Sequence, residues 1–299
     1  MGPVAVELCC LFDVISRAPL WCVYGAASTS EHKLIPRLIW HIKKGDLLLL
    51  DSGFHFCATF KRIMRRTAHF LIPAKENIRP SVLRKLAEGD YLCEIKDYSD
   101  KTTITVRAVF VYRDGFRRRR LVTSLLDPIE FPASELAPLY HKRWDIETFY
   151  RDFKCTLRAT SWHCKTPETF QRELLMHMIV CCIIRIAMVG ACRQVKLSVG
   201  QLSFGRALTE TRLFLKLLVT VTDANLWVSI WTTHIGCCAK HRVKYKPDRR
   251  FTRDCQEYRR KARGLEKRRR GRPCKYIEPS PKSQPETHKN LKGQVFLLS

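Results

Sequence analysis

The amino-acid sequence predicts an α/β fold, in which the strands of a buried sheet alternate with helices. A run of four leucines, Leu47–Leu50, is typical of a strand that is buried on both faces of its sheet. Residues 90–96 and 102–112 alternate between apolar and polar side chains, as half-buried strands do. Residues 139–157 instead repeat apolar side chains at helical spacing. Because 45% of the 299 residues are hydrophobic, the chain can bury a sizeable core.

An acidic residue closes the leucine strand. Asp51 follows Leu50 and precedes a turn at Gly53. Ligands of open α/β sheets bind in the crevice at the carboxyl ends of the strands, which makes Asp51 a candidate site residue. The alternative is that Asp51 caps the helix that is predicted from about residue 53 to residue 66. A second strand is predicted after this helix, at His69–Ile72.

A β-rich insertion is predicted from about residue 78 to residue 120. The dipeptide Asp114-Gly115 is typical of a hairpin turn. Four arginines follow at 117–120, and they either lie along a phosphate backbone or form a solvated loop. Residues 121–126 are predicted to return to the sheet as a strand, which Pro128 and Pro132 end.

One continuous helix is predicted after Pro132. At about 100° per residue, four of its side chains fall within one narrow arc, and Trp144 lies just beside it. The four are Tyr140, Arg143, Glu147 and Lys154. One acid among several cations is compatible with a salt-bridged solvent face. It is also what a metal-assisted phosphoryl-transfer site needs, since the acid holds the cation and the bases hold phosphates.

The spacing Tyr-x2-Arg-x3-Glu-x6-Lys, which begins at Tyr140, resembles the signature of DDE transposases of the insertion-sequence-four type. The resemblance covers about the first three quarters of the chain and implies a ribonuclease-H-like mixed sheet flanked by helices. It implies that Asp51 and Glu147 are catalytic carboxylates that bind Mg²⁺, with Mn²⁺ as a substitute. Ser52 stands where the family usually has an arginine.

The resemblance also implies that the partner is DNA, namely the ends of an insertion element and a target. Strand cleavage and joining by Mg²⁺-dependent phosphoryl transfer is the implied reaction. Tyr140, Arg143 and Lys154 are expected to hold the phosphates beside the cleaved bond. Trp144 is expected either to stack on an unpaired base or to be a partly exposed packing residue.

The first catalytic acid of the family has no obvious counterpart in this sequence. The family places it on the first strand of the sheet, well over fifty residues before the second acid, whereas only 50 residues precede Asp51. Residues 9–15 and 19–24 resemble the second and third strands of the family. We therefore expect that the first strand and its acid are missing. The alternative is that Asp13 is the first acid. An incomplete transposase and a catalytically inactive DNA-binding remnant both remain open as functions.

The charge of the chain favours a polyanionic partner, because the net charge is +26 and the pI is about 9.8. We expect a catalytic domain at 1–235 and a basic, largely disordered tail at 236–299. Between residues 240 and 275, 17 basic residues against 4 acidic ones give a net charge of +13. Arg270 and Arg272 lie in an Arg-Gly-Arg-Pro string that either enters an A·T-rich minor groove or belongs to a generic basic tail.

The cysteine pattern and the apolar segments predict a cytoplasmic protein. The 14 cysteines include no Cys-x2-Cys pair, so reduced cysteines without zinc are expected. The longest apolar stretch, residues 174–192, contains His177 and Arg185 and is predicted to be a core helix without a membrane partner. We expect an association with the nucleoid and, on DNA, a homodimer.

Overall fold

The computed structural model describes residues 6–75, 80–111, 119–160, 162–164, 166–243 and 295–298. Within these residues, nine strands form one mixed sheet with helices on both faces, which is the ribonuclease-H-like α/β arrangement that the sequence predicts. The strands are β1 (Val6–Asp13), β2 (Pro19–Ala26), β3 (Leu47–Leu50), β4 (His69–Pro73), β5 (Ser81–Ala87), β6 (Asp90–Lys96), β7 (Thr103–Val111), β8 (Arg119–Thr123) and β9 (Val295–Leu298). The helices are α1 (Glu31–Ile39), α2 (Cys57–Arg65), α3 (Ala133–His141), α4 (Trp144–Arg151), α5 (Pro167–Val195), α6 (Phe204–Thr220) and α7 (Ala224–Lys240).

The order of the strands places β3 well inside the sheet. The order is β2-β1-β9-β3-β4-β8-β7-β6-β5. β3 runs parallel to β4 and to β9, and the other neighbouring pairs are antiparallel. The strands of the predicted insertion, β5 to β7, therefore extend the same sheet instead of forming a separate one. The sequence located β6 and β7 but not β5.

The leucines of β3 serve two hydrophobic cores. Leu47 and Leu49 belong to the core beneath α3, α4 and α5, whereas Leu48 and Leu50 belong to the core beneath α1 and α2. All four side chains are completely buried, which confirms the prediction of a strand covered on both faces. Because side chains alternate along a strand, position 51 returns to the face on which α3 and α4 lie.

The prediction of one continuous helix after Pro132 is wrong, because the chain forms two helices there. α3 ends at His141, and α4 begins at Trp144. Between them the backbone tightens to i→i−3 hydrogen bonds, in which the Arg143 amide donates to the Tyr140 carbonyl at 3.0 Å. A π-helical turn over Asp152–Thr156 continues α4. The signature residues therefore lie on four local backbone geometries instead of one regular helix.

α5 contains the longest apolar stretch. Among the described residues it is the one helix with the length and composition to cross a membrane, and 44% of its most apolar window is buried within the protein. Leu174, Met178 and Cys181 face the core of the sheet, as the sequence predicts. Arg185 on the same helix is 3% exposed, and its guanidinium contacts the carboxylate of Asp152 at 3.0 Å.

The region predicted as a tail contains two regular elements. α7 continues to Lys240, past the expected boundary at residue 235, and β9 lies between β1 and β3 in the sheet. The sequence did not predict this strand. Arg270 and Arg272 lie outside the described residues, as do Asp114-Gly115 and two of the arginines at 117–120.

Candidate active site

Asp51 is positioned by the end of β3 and by the turn that follows it. One carboxylate oxygen accepts the Ser52 amide at 2.5 Å and so caps the 3₁₀ turn over Ser52–Phe54. The other oxygen lies 3.6 Å from Nη1 of Arg143. The carboxylate caps this turn and also faces the signature residues. It does not cap the following helix, because α2 begins at Cys57 after Phe56, so the predicted helix start near residue 53 is wrong. Its side chain is 48% exposed, which leaves it accessible to a ligand.

Arg143 bridges the two candidate catalytic acids. Its Nη2 donates to Oε1 of Glu147 at 2.9 Å, while Nη1 faces Asp51. The Arg143 side chain is only 11% exposed, whereas that of Glu147 is 47% exposed. Burial acts to lower the pKa of Arg143, but Tyr140 and the two acids outweigh it and raise the pKa above its ordinary value. The guanidinium is therefore a permanent cation between two accessible carboxylates.

Two tyrosine hydroxyls tie this helical region to the sheet. The hydroxyl of Tyr140 donates to the Leu50 carbonyl at 3.1 Å, directly before Asp51. The hydroxyl of Tyr150 donates to the Leu8 carbonyl on β1 at 3.2 Å. Burial raises the pKa of Tyr140 well above its ordinary range, so its hydroxyl keeps the proton that it donates. α3 is thereby fastened to β3, and α4 is fastened to β1.

Lys154 lines an open cavity of about 380 Å³ beside Glu147. Its ammonium nitrogen lies 5.5 Å from the centre of the Tyr150 ring. Two further acids, Glu7 on β1 and Glu31 at the start of α1, line the same cavity. Burial, then Glu7, and then Asp51 raise the pKa of Glu31. The sequence did not indicate that these acids belong to the site. Glu31 resembles the acid that is common in the first turn of a helix, and Glu7 lies on a strand that carries no motif.

Trp144 lies at the mouth of the site with its side chain half exposed. The guanidinium carbon of Arg143 lies 5.2 Å from the centre of the Trp144 ring. The indole is 49% exposed, so one part of it packs and another part is available for stacking. Both interpretations of this residue are compatible with the geometry.

Asp13 does not belong to this site. Phe296 pairs with Asp13 of β1 and with Leu48 of β3, so Asp13 lies level with a position three residues before Asp51. At about 3.3 Å per residue along a strand and about 4.8 Å between strands, the two acids are roughly 14 Å apart. The Asp13 carboxylate instead accepts the Ser16 amide at 2.7 Å in the turn before β2. The alternative in which Asp13 is the first acid is therefore wrong, since metal ions about 4 Å apart could not contact both.

The oxygen donors at the site suit a hard divalent cation, but their number is small. Asp51 and Glu147 supply carboxylates on either side of Arg143, and Mg²⁺ prefers oxygen ligands of this kind. Within the described residues, no group of three or more His, Cys, Asp or Glu side chains is arranged to hold a metal ion. Glu7 and Glu31 line the adjoining cavity but do not complete such a group, so in the described part of the chain two facing carboxylates stand where a two-metal site uses three.

The structure thus places one acid at the end of a central strand and another on the helix beside it, in a mixed sheet flanked by helices, as the signature that begins at Tyr140 implies. Comparison with known families makes this specific. A family model described as "Transposase DDE domain" matches residues 4–183. Since the match covers more than half of the chain, the chain belongs to the DDE transposase family, and the resemblance to its insertion-sequence-four type is confirmed.

Individual relatives agree with the family. "Transposase InsG for insertion sequence element IS4" of Escherichia coli (strain K12) is 26% identical over 233 residues, which are 74% of this chain and 52% of the relative. "Putative transposase y4zB" of Sinorhizobium fredii (strain NBRC 101917 / NGR234) is 29% identical over 159 residues, or 49% of this chain and 44% of the relative. "Probable transposase for insertion sequence element IS5377" of Geobacillus stearothermophilus is 24% identical over 171 residues, or 54% of this chain and 44% of the relative. The chain spans about half the length of the curated relatives it matches.

Proposed function

We propose that this chain carries out, or derives from a protein that carried out, DNA transposition at insertion-element ends. The observation that supports this most directly is the convergence of Asp51 and Glu147 on one guanidinium, although the two acids belong to different elements. Both acids are about half exposed, so a cation and a DNA phosphate can reach them. The DNA partner, the cytoplasmic location at the nucleoid and a homodimer on DNA belong to this proposal.

Asp51 and Glu147 are the residues that would hold a divalent cation, Mg²⁺ or Mn²⁺ as its substitute. When bound, such a cation stabilises the charge that develops on the phosphoryl oxygens during strand cleavage. The protein's own contribution is positioning. Arg143 neutralises the two acids in the present geometry, and it becomes available to a phosphate once a cation takes over that role. Lys154 faces the same cavity and presents a second positive charge to the DNA backbone.

Strand cleavage by this chain should be weak. With two facing carboxylates in place of three, the attacking oxygen loses part of its activation and alignment. A loss of ~4 kcal/mol in the barrier lowers the rate on the order of a thousandfold. We therefore propose a transposase domain whose described residues supply two of the three carboxylates, and the second candidate function is DNA binding without catalysis.

Binding of Mn²⁺ to the full chain, measured by calorimetry, tests the acid pair. Asp51→Asn and Glu147→Gln should each weaken binding at least about tenfold, as expected when a ligand that orients a metal is lost. Glu94→Gln is the matched control, because it removes an acid from β6 in the insertion. If Glu94→Gln weakened binding as much as Glu147→Gln, or if neither site variant weakened it, the assignment of Asp51 and Glu147 would be incorrect.

Nicking of a labelled element end by the purified chain tests catalysis. We expect little or no nicking with Mg²⁺ or Mn²⁺, and Asp13→Ala should change nothing because Asp13 lies outside the site. Robust nicking that Glu147→Gln abolishes would show an active enzyme and refute the expectation that two carboxylates are too few for cleavage. Robust nicking that Asp13→Ala abolishes would refute the site geometry as well.

The DNA-binding alternative is tested by the salt dependence of duplex binding. Replacing the five basic residues within 267–272 with glutamine should flatten the log–log salt slope by roughly 0.9 for each phosphate contact that is lost. These substitutions are preferable to truncation after Lys240, since truncation also removes β9 from the sheet. An unchanged slope would exclude this segment as a DNA-binding element.

A further inference from the structure

The last described strand joins two parts of the sheet that otherwise do not pair. β1 hydrogen-bonds to β2 and β9, and β3 hydrogen-bonds to β4 and β9. β9 runs antiparallel to β1, with Leu298 opposite Leu11, and parallel to β3, with Leu298 beside Leu50. If β9 were absent, the edges of β1 and β3 would each present a row of unpaired backbone groups inside the protein.

β9 reaches this position from far along the chain. The last described residue before it is Val243, and 51 residues separate the two. The strand is therefore a sequence-distant segment that is added to strands formed by residues 6–123.

Both walls of the gap are fastened by hydrogen bonds that do not involve β9. The Tyr140 hydroxyl fastens α3 to β3 at the Leu50 carbonyl, and the Tyr150 hydroxyl fastens α4 to β1 at the Leu8 carbonyl. Consecutive residues on both edges, 9–12 on β1 and 47–50 on β3, are at most 1% exposed, so each edge is apolar above and below. α3 and α4 thus hold the two edges at a fixed separation, and that separation is filled by one strand.

We propose that the gap between β1 and β3 is a strand-accepting site and that residues 295–298 are its separable, tethered occupant. The ligand it takes is an extended apolar segment that pairs parallel to β3 and antiparallel to β1 at the same time, which is strand addition on two edges. The sequence Val-Phe-Leu-Leu has the β-branched and aromatic character that this position requires. Because β3 ends at Leu50, the occupant also steadies the strand that carries Asp51.

Hydrogen exchange of the full chain tests the proposal without reference to catalysis. Leu297→Pro removes an amide donor from the middle of β9, and a central strand does not tolerate this change. Exchange in the segments 8–13 and 47–50 should accelerate at least about tenfold, whereas the β4–β8 pairing around Ile72 should keep its protection. Leu291→Pro is the matched control outside the strand and should leave exchange unchanged.

A synthetic peptide of residues 290–299 completes the test. Added to the Leu297→Pro chain at about 1 mM, which saturates even a weak site, it should restore protection in both segments. The same peptide carrying the proline should not. The unmodified chain should take up little labelled peptide at micromolar concentration, because its own strand occupies the site.

Each outcome decides the question. Unchanged exchange in Leu297→Pro would show that residues 295–298 do not occupy the gap. Leu297→Pro could also lose its far-ultraviolet circular dichroism signal as a whole. If the peptide restored the signal, a separable strand would be supported; if the peptide did not restore it, a separable strand would be refuted. Equal uptake of peptide by the unmodified chain and by Leu297→Pro would also refute the proposal. None of these readouts depends on metal binding or nicking, so failure here leaves the proposed function untouched.

Discussion

Replacing Arg107 should destabilise the protein more than any surface substitution, because this arginine is completely buried. Its guanidinium forms a paired contact with Asp90, at 2.8 Å from Nε and 2.5 Å from Nη2. Its Nη1 donates to the Phe131 carbonyl at 2.6 Å and to the Asp127 carbonyl at 3.2 Å. The side chain thus joins two strands of the insertion to the loop that leads into α3.

The expected loss of stability follows from the buried polar groups that Arg107→Met leaves without a partner. Asp90 is 2% exposed and would lose its charged partner, and removing one member of a buried pair costs about 3–5 kcal/mol. The orphaned Phe131 carbonyl adds about 1 kcal/mol. The expected total of roughly 4–6 kcal/mol is a large part of the 5–15 kcal/mol by which domains are typically stable. Adding Asp90→Leu removes the stranded charge, so the double variant should cost only about 1–3 kcal/mol.

Urea unfolding of the full chain measures these effects as shifts of the midpoint at constant slope. Arg84→Met is the matched control, since Arg84 lies exposed on β5 of the same insertion and its replacement should change stability by less than about 0.5 kcal/mol. If Arg107→Met stayed within about 1 kcal/mol of the unmodified chain, the reasoning would be refuted. A double variant less stable than Arg107→Met alone would refute it as well.

Three further predictions concern the site. Burial raises the pKa of Glu31, so the folded protein loses stability when this group ionises. The loss is absent below the ordinary pKa of 4.5 and is complete once the pH exceeds the raised pKa. Glu31→Gln should therefore be more stable than the unmodified chain at pH 8 and equal to it near pH 4, and equal stability at both pH values would contradict the shift. Tyr140→Phe should lower the free energy of unfolding by about 1 kcal/mol, since the Leu50 carbonyl loses its donor; no change in the urea midpoint would count against this bond. Trp144→Ala should weaken single-stranded DNA binding by about 1–3 kcal/mol if the indole stacks on a base. Trp40→Ala, which removes an exposed indole that also contacts an arginine, is its control, and an equal effect of both would make Trp144 a packing residue.

The sequence alone determined the features that depend on local pattern. The strand β3, Asp51 at its end and the core helix α5 were predicted because burial leaves a pattern in neighbouring residues. A strand that is buried on both faces is a short continuous apolar run, and a core helix is a longer apolar stretch. The spacing of Tyr140 and Glu147 indicated the family, because a signature motif is also a local feature. The strand pair β6 and β7 was found for the same reason, since alternation at period two is visible along the chain.

The tertiary structure alone decided how distant residues meet. The bridge from Arg143 to Asp51, the break between α3 and α4, and the buried pair of Arg107 and Asp90 depend on contacts that leave no periodic trace in the sequence. β9 could not be predicted for the same reason. Its four residues resemble any short apolar segment, and only pairing with the edges of β1 and β3 makes them a strand. Strand pairing is cooperative and non-local, so its register is set by the edges that are available in the folded chain, not by the strand itself.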